Sequence, residues 1–377
     1  MAALDRRNWL KQSSLALAAL GMGGRLMAHP QSQPADWLAP WDEDTVGKLI
    51  RIGQNENPYG VSPLARKAMA EAVAHSNRYP MEMATALREK IARLHGLSKD
   101  HVLLGAGSSE LLGNTAAMCA SKGANVVTAD PTFKLWFTAA ELYGLQIRKV
   151  PLNAGKVHQL DAMLAAMDAQ TRLVYVVNPH NPTGTILPDA DLLAFAERVS
   201  RSATLLIDEA YTEYADTKSL APLVADNRQV VVAKTFSKIH GMAGARVGYV
   251  LAHPDTIKKL SPWQPWANAG PSAVSLAGAM AAMDDADFMR STRQQNEEVR
   301  RYVMQQLNQL GLPVIPSYTS FVYYDASRFA GDLAATLQAA NIQGVRTYEA
   351  GTGWRRTSIG TMDEMQAFVK VLKAALG

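Results

Sequence analysis

A lysine, two hydroxyls and an arginine lie together in residues 234–246, and these residue types can bind a phosphorylated aldehyde. Ser237 and Lys238 follow an apolar run at 230–233, and Arg246 precedes another at 247–251, so the segment joins two buried strands. A lysine amine forms an imine with an aldehyde, while a hydroxyl and a guanidinium hold a phosphate. The combination indicates pyridoxal phosphate. Taken alone, the segment is better explained as a solvated loop, because Lys, Ser and Gly are common loop residues.

Three stretches upstream supply the other groups that this cofactor needs. Asp208 ends an apolar run, where its carboxylate can pair with the pyridinium nitrogen. Asn181 lies in a Pro-rich turn after another predicted strand, and it and Tyr211 can donate to the phenolate oxygen. Small residues at 107–109 follow a third strand and start a helix, whose free N–H groups suit a phosphate.

With three other motifs, these stretches make the chain resemble the fold-type I pyridoxal-phosphate enzymes, in particular class I/II aminotransferases of the histidinol-phosphate aminotransferase group. The resemblance runs from about residue 51 to the C-terminus. It implies an α/β fold with a mainly parallel seven-stranded sheet between helices in a large domain, plus a smaller α+β domain. The matching motifs are Asn55-Glu56-Asn57-Pro58-Tyr59-Gly60, Gly107-Ser108-Ser109-Glu110, Asp130-Pro131-Thr132-Phe133, residues 178–184, Asp208-Glu209-Ala210-Tyr211, Thr235-Phe236-Ser237-Lys238 with Arg246, and residues 354–361.

The resemblance also implies a role for each matching residue. Lys238 binds the cofactor and moves the proton between the substrate Cα and the cofactor C4′, while Asp208 pairs with the ring nitrogen. Asn181 and Tyr211 bind the phenolate, and Phe133 stacks on the ring. The substrate α-carboxylate binds to Arg356, beside Asn181. The phosphate contacts are Gly107, Ser108, Ser109, Ser237, Arg246 and, in a homodimer, a Tyr59 contributed across the interface.

Composition describes an ordinary globular protein of 377 residues, 48% hydrophobic and 19% charged. The net charge is +4, but residues 1–28 hold four basic side chains and one acidic, a net +3 that leaves only +1 for the rest. We therefore expect no nucleic-acid partner. No metal site is predicted. The single cysteine, Cys119, is interpreted as a small core residue and cannot form an intrachain disulfide.

Residues 1–28 resemble a twin-arginine signal peptide. Arg6 and Arg7 precede Trp9, Leu10 and Lys11, with the tryptophan in place of the usual phenylalanine, and residues 13–24 form a short, weakly apolar run. We therefore expect export to the periplasm or beyond, with no membrane contact in the mature form. If the segment is instead an amphipathic helix packed on the protein, the enzyme stays in the cytoplasm.

Alternating apolar runs predict strands near 101–105, 124–129, 146–150, 172–177, 203–208, 229–233 and 246–251, with helices near 109–121, 133–144, 158–167 and 188–200. We expect an N-terminal arm and part of the small domain at 29–75, the large cofactor-binding domain at 76–262 and the small domain at 263–377.

The substrates implied are an amino acid and a 2-oxo acid. Arg346 matches the arginine that contacts the side-chain phosphate of the substrate in histidinol-phosphate aminotransferases. Alternatively, it is a surface residue. Ser320, where the group usually has asparagine, and the export signal both favour a free amino acid instead. The same cofactor also serves racemases, decarboxylases and lyases, because the bond that breaks depends on substrate orientation. His240 could supply a second acid/base for racemisation, or pack beneath the site.

Overall fold

The structure is a computed structural model that describes residues 49–376. The expected export signal at 1–28 and the arm at 29–48 lie outside the described residues. Residues from Ile50 onward form one compact unit. No helix within residues 49–376 is both long and apolar enough to span a bilayer.

A seven-stranded sheet organises the larger part of this unit, in the order β2-β8-β7-β6-β5-β3-β4. Strand β8 is antiparallel to both of its neighbours, and the other pairings are parallel. The central strands β5, β6 and β7 are mostly apolar, and all of their residues except Arg172 are buried, as expected for a sheet covered on both faces. The strands are β2 (Val102–Gly105), β3 (Asn125–Asp130), β4 (Gln146–Pro151), β5 (Thr171–Val177), β6 (Thr204–Asp208), β7 (Val230–Thr235) and β8 (Gly248–Ala252).

Helices cover both faces of the sheet, and alternate strand residues enter two separate apolar clusters. Leu205 and Ile207 of β6 belong to one cluster and Leu206 to the other, which is the period of two of a strand. The fold-type I architecture predicted from the sequence is thereby confirmed. The helices are α1 (Pro63–Ala72), α2 (Met81–Leu94), α3 (Ser108–Cys119), α4 (Phe137–Leu142), α5 (Leu160–Ala165), α6 (Asp189–Val199), α7 (Pro254–Leu260) and α8 (Ala273–Ala282).

A smaller part follows with its own apolar cluster around a four-stranded antiparallel sheet, in the order β12-β13-β10-β9. The N-terminal strand β1 joins this part by pairing in parallel with β11, and Ile52 enters its core. The remaining elements are β1 (Ile50–Arg51), α9 (Ala286–Gln309), β9 (Val314–Ile315), β10 (Phe321–Asp325), α10 (Leu333–Ala339), β11 (Ile342–Gln343), β12 (Arg346–Thr347), β13 (Trp354–Ser358) and α11 (Met362–Leu376).

Two helices pack in a different part of the molecule from the one expected for their residues. Helices α1 and α8 pack on each other and belong to the core of the large sheet, although the sequence predicts the arm and part of the small domain at 29–75 and the small domain at 263–377. Helix α8 is built of small and apolar residues, and a Cβ at Gly278 would lie 2.6 Å from the Met69 side chain, so the two helices meet closely. We propose that the boundary lies between α8 and α9.

Candidate active site

A cavity of about 700 Å³ opens at the carboxyl ends of the parallel strands, where open α/β sheets bind their ligands. Strand β6 ends at Asp208, and Lys238 follows the end of β7. The cavity brings together eleven of the residues predicted from the sequence, namely Ser108, Ser109, Phe133, Asn181, Asp208, Tyr211, Ser237, Lys238, Arg246, Arg346 and Arg356.

The Lys238 amine lies inside this cavity. Its Nζ donates to the backbone carbonyl of Gln54 at 3.1 Å and lies 5.7 Å from the centre of the Tyr211 ring. Burial, and secondly the Arg356 guanidinium, lower the pKa of Lys238 to about 8. About a tenth of the amine is therefore neutral, and nucleophilic, at pH 7.

Asp208 provides a buried carboxylate on the floor of the cavity. Its Oδ2 accepts from the Tyr175 hydroxyl at 3.2 Å, and its Oδ1 accepts from the Ala210 N–H at 3.1 Å. Burial raises the pKa of Asp208 to about 6, although both donors act in the opposite direction. A cation placed against this carboxylate would keep it ionised.

The start of helix α3 forms a cup for an anion. Gly107 caps the helix with φ +81°, and the next residues present N–H groups that have no partner within the helix. Ser237 also lines the cavity. Arg246 closes the cup, with Nη2 donating to the Ala106 carbonyl at 3.2 Å and Nη1 to that of Ala243 at 3.0 Å.

Gly107 should not tolerate a side chain. A Cβ there would overlap the Arg246 guanidinium, and φ +81° is costly for any other residue. We expect Gly107→Ala to weaken cofactor affinity by about 100-fold, since a displaced guanidinium loses charged contacts to phosphate. Equilibrium dialysis of the apoprotein measures the affinity. Gly113→Ala in the same helix is the control, because its Cβ would meet only Ala139 at 3.7 Å, and equal losses in both variants would contradict the cup.

Arg356 lies on β13, lines the cavity and is 4% exposed. Its Nη1 donates to Asn181 Oδ1 at 2.7 Å and to the Tyr348 hydroxyl at 2.6 Å, and its Nη2 donates to the Gly53 carbonyl at 2.7 Å. Nε is buried without a partner among residues 49–376. A buried guanidinium with donors to spare is a strong site for a carboxylate.

Two contacts around the site were not predicted from the sequence. Asn55 Nδ2 donates to the Tyr211 hydroxyl at 2.9 Å, whereas the sequence indicates Asn55 only as part of a motif. Tyr348 lines the cavity beside Arg356. Its position, two residues after Arg346 in an extended segment, was a usable indication, because such residues share a face.

The other predicted residues are placed as follows. Arg346 lies in an exposed stretch of the cavity wall, with Nε donating to the Gly53 carbonyl at 3.3 Å. Tyr59 does not line the cavity of its own chain. His240 does not line the cavity either. Its ring is buried, with its centre 4.9 Å from the centre of the Phe236 ring, and burial lowers the pKa of His240 to about 4. Ser320 is buried outside the cavity, so its identity does not bear directly on the substrate.

The sequence profile described as "Aminotransferase class I and II" matches residues 47–372. This chain belongs to that aminotransferase family. A histidinol-phosphate aminotransferase of Symbiobacterium thermophilum is 37% identical over 335 residues, covering 87% of this chain and 91% of that protein. Histidinol-phosphate aminotransferase 1 of Dechloromonas aromatica is 34% identical over 371 residues, covering 96% of this chain and 100% of that protein.

A solved structure supports the same family membership. The histidinol-phosphate aminotransferase of Sinorhizobium meliloti, in complex with pyridoxal-5′-phosphate, is 27% identical with a TM-score of 0.79, covering 94% of this chain and 99% of that one. The cofactor of this aminotransferase is pyridoxal phosphate, and the residues present fit it. The cup at Gly107 suits the phosphate, the Asp208 carboxylate suits the ring nitrogen, and Lys238 lies in the same cavity.

Capture of the cofactor by the apo-aminotransferase should accelerate as pH rises. The lysine must be neutral to attack an aldehyde, and this fraction grows through the Lys238 pKa of about 8. The Asp208 carboxylate must be ionised to attract the ring cation, and it ionises above its pKa of about 6. We therefore expect slow reconstitution at pH 5 and fast reconstitution at pH 9, measured by stopped-flow absorbance. A rate that falls over this interval would contradict the assignment.

Proposed function

We propose that this aminotransferase passes the amino group of a free amino acid to a 2-oxo acid. The observation that carries the proposal is the meeting of Lys238, Asp208 and Arg356 in one cavity. Every amino acid and every 2-oxo acid has a carboxylate next to the reacting carbon. A single buried guanidinium can therefore serve both halves of the reaction.

The chemistry divides among a few side chains. When bound, pyridoxal phosphate supplies an electron sink that weakens the bonds at the substrate Cα. Asp208 keeps the proton on the ring nitrogen, and the Tyr211 hydroxyl, oriented by Asn55, donates toward the phenolate oxygen. Lys238 Nζ takes the proton from Cα and delivers it at C4′. Its lowered pKa suits a group that must accept and release a proton near neutral pH.

Substrate binding at Arg356 is an exchange of hydrogen bonds. The guanidinium has five N–H donors, and in this structure three hydrogen bonds engage it, all to neutral acceptors. A carboxylate replaces one or more of these acceptors with a charged one, which makes stronger hydrogen bonds. The residues that supply the three acceptors, namely Gly53, Asn181 and Tyr348, all line the cavity.

A second candidate substrate is histidinol phosphate, which the relatives' names describe. Arg346 favours it, because this guanidinium lines the cavity and has no carboxylate within 4.0 Å among residues 49–376. A second cation near Arg356 equally suits the second carboxylate of a dicarboxylic amino acid or of 2-oxoglutarate. Racemisation through His240 receives no support, because that ring lies outside the cavity.

The deciding experiment is a substrate scan of the purified holoenzyme. L- and D-amino acids and histidinol phosphate are added with and without 2-oxoglutarate, and the absorption of the bound cofactor is followed. Loss of the lysine-bound band with an amino donor, and its return with the oxo acid, would support amino transfer. Loss of substrate chirality without any need for an oxo acid would favour a racemase. Turnover of histidinol phosphate alone would overturn the free amino acid proposal.

We also propose that residues 1–28 direct export by the twin-arginine route. The Arg6-Arg7 pair before Trp9-Leu10-Lys11 supports this, together with the weakly apolar run at 13–24. Cell fractionation after Arg6→Lys/Arg7→Lys tests it. We expect the double variant to stay in the cytoplasm, while Arg25→Lys, outside the motif, is exported normally. Equal distribution of both variants would overturn the proposal.

A homodimer is proposed on the position of Tyr59, which lies outside the cavity of its own chain and can serve a neighbouring one. Sedimentation should give twice the 40.9 kDa of one chain. Tyr59→Phe should weaken cofactor binding without changing that mass. A monomer with full cofactor affinity would contradict the arrangement.

A further inference from the structure

The wall of the cavity next to Arg356 is a short extended segment of the small part. Its residues Arg346, Thr347 and Tyr348 all line the cavity. Strand pairing fixes only the first two of them, because β12 ends at Thr347. The position of Tyr348, whose hydroxyl accepts from Arg356 at 2.6 Å, therefore depends on what holds the next residue, Glu349.

Glu349 is held by a lysine of the large part. Lys156 Nζ lies 2.8 Å from both carboxylate oxygens, and the two side chains are only 15% and 21% exposed. The Tyr323 hydroxyl donates to the same carboxylate at 2.6 Å. Lys156 Nζ also lies 4.6 Å from the centre of the Trp354 ring. The Trp354 and Tyr323 rings are stacked, with their centres 5.1 Å apart. The ion pair is thus enclosed by aromatic rings, where it is stronger than at an open surface.

Lys156 is itself fixed by its backbone. Its φ is +60°, and its N–H donates to the Asn153 carbonyl at 2.9 Å in a tight turn. Its carbonyl accepts from the Thr185 hydroxyl at 3.1 Å. Thr185 also contacts Thr183 in the loop that carries Asn181. The contacts therefore form a closed ring around Arg356, which runs from Tyr348 through Glu349, Lys156 and Thr185 to Asn181.

We propose that the Lys156–Glu349 ion pair is a positioning device that fixes Tyr348 and Asn181 around Arg356 and so sets the affinity for the substrate carboxylate. The inference rests on the proposed carboxylate role of Arg356. Neither Lys156 nor Glu349 lines the cavity, and neither touches the reacting atoms. Loss of the pair lets the segment at 346–349 move away, so that Arg356 must be ordered again when substrate binds.

The test compares Lys156→Met, Glu349→Gln and the double variant. We expect each single variant to raise KM for amino donor and oxo acid about tenfold with kcat within about twofold, and the double variant to add little more. The Kd of succinate for the holoenzyme, measured by calorimetry, should rise by the same factor. The lysine-bound absorption band should persist, because Lys156 and Glu349 do not contact Lys238. Lys156→Arg, which keeps the charge, should recover most of the affinity.

The control is a surface pair of the same kind. Lys99 and Glu89 lie 3.3 Å apart with side chains 45% and 44% exposed, so Lys99→Met should leave KM and the succinate Kd unchanged. An unchanged KM and succinate Kd in Lys156→Met would overturn the proposal. So would a double variant whose change in these values equals the sum of the two single-variant changes in free energy. If Lys156→Met does not fold, Glu349→Gln alone decides. A wild-type enzyme that binds succinate but transfers no amino group would contradict the proposed function and leave the positioning role supported by the Kd series.

Discussion

Replacing Lys238 with alanine should lower the rate of amino transfer by at least about 10⁴-fold, the largest effect expected from any single substitution here. The amine is the one described lysine nitrogen that lies in the cavity within reach of the Tyr211 ring, and it both attaches the cofactor and carries the proton. Single-turnover absorbance with an amino donor measures the rate.

Its control is Lys99→Ala, which removes an exposed lysine far from the cavity and should react as the wild type does. Lys238→Ala should still bind pyridoxal phosphate, because the cup at Gly107 and the Asp208 carboxylate remain, but the lysine-bound absorption band should be absent. Retention of that band would mean that another amine attaches the cofactor.

Arg356→Lys should raise KM for the amino donor by about 100-fold, the second largest expected effect. Lysine keeps the charge but cannot form the two parallel hydrogen bonds of a guanidinium, and each charge-assisted bond contributes about 1.5–3 kcal/mol. The shorter side chain also leaves Asn181 Oδ1 and the Tyr348 hydroxyl without their shared donor. Steady-state kinetics with the best donor from the substrate scan measures the change.

The adjacent arginine gives a matched control for this substitution. Arg355 occupies the next position on β13, and its Nη1 donates to the carbonyls of Thr352 and Trp354 instead of entering the cavity. Arg355→Lys should therefore leave KM within about twofold, as for a surface change. Similar losses in the two variants would show that KM depends on the general packing of β13 and not on a specific contact of Arg356.

Most of the cofactor site could be predicted from the sequence, because the fold itself concentrates it. Parallel strands end at one edge of a sheet, so polar residues that directly follow apolar runs must meet there. Asp208 after β6 and Lys238 after β7 are two such residues. The predicted strands and most helix bounds agree with the structure for the same reason, since buried strands are near-continuous apolar runs.

The parts that sequence patterns did not reveal depend on tertiary packing. The sequence places the boundary at residue 263, before α8, whereas we propose a later one, because α8 packs in the core of the large sheet and has no polar face that would show this in the sequence. The ring from Lys156 to Tyr348 joins residues almost two hundred positions apart, and a lysine and a glutamate at that separation form no recognisable pattern. Asn55 acts on Tyr211, which lies 156 positions away in the chain, so local spacing could not assign its role.

Two main-chain oxygens of the N-terminal segment accept hydrogen bonds from three cationic side chains of the site. The Gly53 carbonyl receives N–H groups from Arg356 and Arg346, and the Gln54 carbonyl receives the amine of Lys238. No side-chain substitution can delete a carbonyl, so a mutational scan should find the exposed Gln54 tolerant of most replacements. Gly53 should tolerate almost none, because a Cβ there would lie 2.6 Å from the Gly344 Cα and push the carbonyl away. The alignment of these cations is therefore insensitive to side-chain variation along this segment and vulnerable at one glycine.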